Sequence, residues 1–147
     1  DGGYTGTPYG QERASLIKID AERFAVELIL PFSSMESSPS ELCINDAKDR
    51  IYYIDGSWAS GGVPNSGVYA MNVDQTSLPT TPLVAEDTRL FYALGVNPYT
   101  GEIYISDAID YVQRGLVFKY SPDGDLLDQF KVDITPGAFC FKSGQER

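Results

Sequence analysis

Seven residues carry the chemistry this sequence could perform: Tyr4, Tyr9, Trp58, Asp107, Asp110, Tyr111 and Arg114. They fall in three loops of like composition, each holding an aromatic near an Asp, with Asp1 before Tyr4 and Asp55 before Trp58. A flat apolar ring beside a fixed carboxylate is what a glycan or peptide needs: a platform, and acceptors for hydroxyl or amide hydrogens. The same aromatics could instead lie over neighbouring elements and exclude water, or form a protein interface. Asp107 and Asp110 also offer the paired carboxylates a glycosidase requires. In so acidic a chain such a pair arises readily by chance.

Other chemistries are poorly supplied. The 147 residues include 11 Lys+Arg, 21 Asp+Glu and no His, a net charge of −10. That charge repels phosphate backbones, so nucleic acid is not expected as a partner. The lack of His removes the commonest general base and metal ligand. Cys43 and Cys140 cannot form a zinc site alone. The sequences SPDGD (121–125) and DAKD (46–49) lack the spacing of calcium loops, and Pro122-Asp123-Gly124 reads first as a turn. Gly2-Gly3 and Gly61-Gly62 have no Lys and no following helix, so they are not phosphate loops. No cofactor is expected. No apolar run approaches the roughly 20 residues of a membrane-spanning helix.

The elements that must position these loops are repeated. INDAKDRIYYID (44–55) and VNPYTGEIYISD (96–107) share a plan 52 residues apart: apolar residue, Asn, polar turn, Ile-Tyr, then Asp. GVYAMN (67–72) and GLVFKYS (115–121) match 15–20, and PGAFCF (136–141) matches PSELCI (39–44) 97 residues earlier. Leu42, Leu94 and Phe139 become equivalent, as do Cys43, Gly95 and Cys140. Each unit holds four short strands, A to D, in about 50 residues, and no stretch sustains a helical period. Strands are expected over 14–20 and 23–31, over 41–45, 50–55, 67–72 and 82–85, over 91–96, 102–107, 115–121 and 126–132, with a last one over 136–141. The loops bearing the aromatics join B to C.

Antiparallel four-stranded units of this period are the blades of a β-propeller. A β-sandwich is the alternative, though it needs no repeat in register. The chain divides into a partial blade (1–31), two blades (39–85 and 91–132) and the first strand of another (136–142), about 2.75 blades in all. That is too few to close a ring, so its edges are expected to pair with further chain or with another copy. Asp55 and Asp107, each ending a strand B, are read first as residues that fix the adjoining loops. Tyr52, Tyr104, Phe118 and Tyr120 are read as packing between units, and Cys43 and Cys140 as two free, buried thiols.

In the pattern PSELCIND–turn–RIYYID–loop–GVYAMNVD, and in the closing LVFKYSPDGDLLDQFKVDITPGAFCF, the chain resembles bacterial extracytoplasmic propellers of the YncE-like, NHL-repeat and surface-layer type. It is especially similar to the C-terminal part of propeller lipoproteins of gut anaerobes. The resemblance implies an exported, periplasmic or cell-surface protein, lipid-anchored in some relatives. It supplies no catalytic motif. The expected function is a non-catalytic binding scaffold for a glycan or protein. The alternatives are part of a propeller lyase or hydrolase with its other catalytic groups elsewhere, or a surface-layer component.

Overall fold

A computed structural model describes residues 12–35, 37–56 and 66–142. Tyr4, Tyr9 and Trp58 lie outside the described residues. The described residues are all-β and contain no helix, so none is long and apolar enough to cross a membrane. Ten strands follow in order: β1 (Ser15–Asp20), β2 (Ala25–Pro31), β3 (Pro39–Ile44), β4 (Arg50–Asp55), β5 (Gly67–Asn72), β6 (Val84–Ala85), β7 (Phe91–Val96), β8 (Ile103–Asp107), β9 (Leu116–Tyr120) and β10 (Leu126–Lys131). They form three antiparallel meanders: β1-β2, β3-β4-β5-β6 and β7-β8-β9-β10.

The 52-residue offset survives in the hydrogen-bond register. Pro39 faces Asp55 as Phe91 faces Asp107; Cys43 faces Tyr52 as Gly95 faces Tyr104; Ile44 faces Ile51 as Val96 faces Ile103. Both ladders are irregular within one residue of the same place, between Ser40 and Cys43 and between Phe91 and Leu94. The repeated Asn closes the turn in each unit. Asn45 Oδ1 accepts the Asp49 and Arg50 N–H groups (3.1 and 3.0 Å). Asn97 Oδ1 accepts the Tyr99 N–H (2.9 Å). The left-handed residue differs: Lys48 (φ 59°) in the first turn, Gly101 (φ 72°) in the second. Glycine removes the Cβ clash that Lys48 tolerates.

Alternation along the strands sends apolar side chains to both faces of the middle sheet. Tyr52, Ile54 and Val68 pack with Leu94, Val96, Ile103, Ile105 and Phe118 of the third sheet. Tyr53, Tyr69 and Met71 pack with Ala14, Leu30 and Phe32 around the first. The sheets therefore stack in chain order. Tyr52 is the packing residue its alternation predicts, and Tyr104 meets Phe139 and Phe141 (centroids 6.0 and 5.2 Å). Arg89, between the last two sheets, lies over the rings of Phe91 and Phe118 (4.9 and 5.2 Å) and donates to the Tyr120 hydroxyl.

Three expectations are corrected. The segment 136–141 forms no strand. It packs on the face of the third sheet, where no described strand pairs with it, and a strand needs a ladder partner to satisfy its backbone. Its place still follows the repeat. A Cβ on Gly95 would come within 2.8 Å of Phe139 Cβ, and Ser106 Oγ donates to the Pro136 carbonyl (2.6 Å). Second, both thiols are free, but Cys43 is half-buried, packed at the margin of the cluster between the middle and third sheets, and Cys140 is exposed on a segment that no further described sheet covers. Third, β2 begins at Ala25, not Arg23; Phe24 adopts a left-handed conformation (φ 51°) that ends the turn.

Candidate functional site

The strand-ending aspartates come first, since they shape the loop ends. Asp55 Oδ1 accepts the Ser38 N–H (2.9 Å), and Asp107 Oδ1 accepts the Leu90 N–H (3.0 Å). Both bonds span 17 residues and tie the loop entering strand A to the end of strand B. Asp107 Oδ1 also takes the Ile109 N–H (2.8 Å). Both carboxylates are buried, 8% and 5% exposed. A buried carboxylate persists only where N–H donors repay its lost hydration. These bonds are the loop-fixing role read from the repeat.

The remaining third-loop residues lie on the surface. Asp110 Oδ1 accepts the Val112 and Gln113 N–H groups (2.9 and 2.7 Å), and Oδ2 takes Gln113 Nε2 (2.8 Å). The Gln113 side-chain bond, then the backbone bonds, lowers its pKa. Such a carboxylate stays ionised and committed to its own turn. Tyr111, left-handed at φ 64°, meets Tyr92 edge-on (centroids 5.6 Å). Partial burial, then Tyr92 and Glu86, raises its pKa. Arg114 Nε donates to the Val132 carbonyl (3.2 Å) and pairs loosely with Asp133 (3.6 Å), both on the segment after β10. The loop is therefore braced by its own turn at Asp110 and by neighbouring segments at Tyr111 and Arg114. Tyr111 borders a crevice of only about 30 Å³ with Glu86 and Phe91.

The larger concavity at this level lies one unit earlier. A cavity of about 430 Å³ opens between the first and middle sheets, lined by Phe32, Ser37, Tyr53, Asp55, Tyr69 and Thr80. β4 and β5 set two tyrosines directly opposite each other, Tyr53 to Tyr69. Their rings stack at 5.5 Å and 9°, and Phe32 closes on Tyr53 edge-on at 5.7 Å and 87°. Burial, then Asp55, raises the pKa of both Tyr53 and Tyr69, so both phenols stay protonated as donors. The wall thus combines aromatic carbon with the hydroxyls of Ser33, Ser34, Ser37 and Thr80 and the Asp55 carboxylate.

Sequence reasoning read Asp55 as a residue that fixes the adjoining loop and did not single out Phe32, Tyr53 and Tyr69 for binding. The available signal was the tyrosine pair at facing positions of two paired strands. No group of three or more His, Cys, Asp or Glu suited to a metal occurs among the described residues. No protein-family model matches the chain, and no curated protein matches it.

Proposed function

We propose that the chain is a section of an exported β-propeller that acts as a non-catalytic binding scaffold, taking a glycan at the loop end of its sheets. The observation that carries the binding site is the cavity of about 430 Å³ beside Asp55. Its size suits one or two sugar rings within the usual range of small-ligand sites. Its chemistry suits them too. Half-buried Leu78 and Pro79, beside the margins of the aromatic rings, meet the apolar face of a pyranose, and serine, threonine and carboxylate oxygens accept its hydroxyls. The propeller reading is supported by the four-stranded meander, its repetition in register, and the stacking of successive sheets through aromatic and aliphatic faces. The non-catalytic reading is supported by carboxylates committed to backbone N–H groups. Export is supported by the family resemblance.

Saturation-transfer NMR with a panel of mono- and disaccharides tests this reading. Transfer to at least one sugar is expected, and Thr80→Trp should abolish it by filling the cavity from an exposed position. No transfer to any sugar, or transfer that survives Thr80→Trp, would overturn the site.

A further inference from the structure

The first sheet has two strands where the other two have four, and β1 pairs with β2 alone. One edge of β1 therefore presents unpaired backbone groups among the described residues. Two cavities lie between β1 and the middle sheet. One, of about 300 Å³, is lined by Leu16, Ile17, Leu28, Leu42, Ile51 and Met71. The other, of about 190 Å³, is lined by Leu16, Pro39, Ser40, Leu42 and Tyr53. Ile17, Ile19 and Leu42 are 49%, 60% and 61% exposed.

The molecule itself contains the covered version of this surface. In the third sheet Leu94, equivalent to Leu42, is 7% exposed because β3 and β4 lie over it. Cys43 Sγ reaches the Leu94 carbonyl at 3.8 Å. The contact recurs one unit on, where Gly95 meets Phe139. At two successive interfaces, then, a strand A residue at the 43/95 position seats the 94/139 residue of the following unit. The surface around Leu42 is the same interface with its covering pair absent among the described residues.

The geometry points to a docking surface for a β-hairpin of the chain's own repeat type, an A–B strand pair that adds to the β1 edge and covers Leu42. Main-chain bonds to β1 supply affinity, and alternate side chains entering the two cavities supply register. This proposal rests on the repeat and the open edge, and stands whether or not the cavity beside Asp55 binds a sugar.

The probe is a synthetic peptide of residues 91–107, which carries an A–B pair and no cysteine. Saturable binding to the folded chain is expected, with slowed amide exchange in Ser15–Asp20. Leu42→Asp should weaken binding at least tenfold, and Ile17→Lys should do so independently at the β1 end. Both positions are exposed, so neither variant removes core packing. A scrambled peptide should not bind. The proposal is overturned by no binding, by binding unchanged in both variants, or by Leu42-dependent self-association in light scattering without peptide, which would make a second copy the occupant.

Discussion

The middle and third sheets are two readings of one sequence plan, and they differ most where the plan agrees. Leu42 and Leu94 occupy the same repeat position and are 61% and 7% exposed; Ile44 and Val96 are 48% and 7%. Ile51 is half-buried, while its equivalent Ile103 is fully buried. The ladders are superposable in register, so backbone geometry does not explain the difference. The neighbour does. The third sheet has a four-stranded sheet against it, and the middle sheet has a two-stranded one. Burial in a stacked repeat thus belongs to the interface between units. Exchanging one side chain at the two positions measures that interface directly.

The largest effect is expected there. Leu94→Ala should cost about 2–5 kcal/mol, through lost burial and a residual cavity. Leu42→Ala should change stability by about 0.5 kcal/mol or less, as at most exposed sites. Urea unfolding of both variants gives the comparison. Equal losses would mean that Leu42 is covered in solution, and would break the contrast between the sheets.

The strands were legible because alternation, turn residues and a second copy of the plan all agree. Asp55 and Asp107 could be assigned from sequence since each bonds a loop next to its own strands. What lay between units was less legible. PGAFCF has the composition of β3, but whether it becomes a strand depends on a partner strand, which composition does not record. The same holds for Cys140, whose exposure reflects what lies over it. The cavity beside Asp55 needed Phe32 from one sheet and Tyr53 and Tyr69 from the next, a juxtaposition that no single segment encodes. The third loop misled for the opposite reason: its residues are rich in chemistry but are already partnered, Asp110 within the loop and Asp107, Tyr111 and Arg114 with neighbouring segments.

A smaller effect should sharpen how the last segment is held. Ser106 is fully buried, accepts the Ala93 N–H (2.9 Å) and donates to the Pro136 carbonyl (2.6 Å). Ser106→Ala leaves both groups short of a partner, costing about 1–3 kcal/mol. Part of that loss should be local. Proteolytic cleavage over 137–142 should quicken while β3 and β4, the equivalent cover of the third sheet's other face, stay resistant. Uniform quickening across all three sheets would mean that the segment is no separate unit.

The smallest effect concerns the two cysteines, equivalent in sequence and unequal in surroundings. Burial, with the Glu41 carboxylate adding, pushes the Cys43 thiol up to about 11 from 9.0. The thiolate is the reactive form, so at pH 8 Cys43 holds about a hundredth of the thiolate of a thiol at its ordinary value. Cys140 is exposed. A maleimide reagent should therefore modify Cys140 first, and mass mapping of the adduct decides the order. The sign for stability follows from the same shift. With its pKa raised in the folded state, Cys43 stabilises fully below about pH 9 and loses that contribution as pH climbs toward about 11. Because the group is only partly buried, screening holds this to about 1 kcal/mol or less. Tyr53, also raised, adds a loss of the same sign from about pH 10. Subtracting the Cys43→Ser profile from that of the unmodified chain removes the tyrosine and isolates the thiol. A difference that stays flat between about pH 9 and 11, or grows toward alkaline pH, would mean that Cys43 is not held beside Glu41 under the edge of the third sheet.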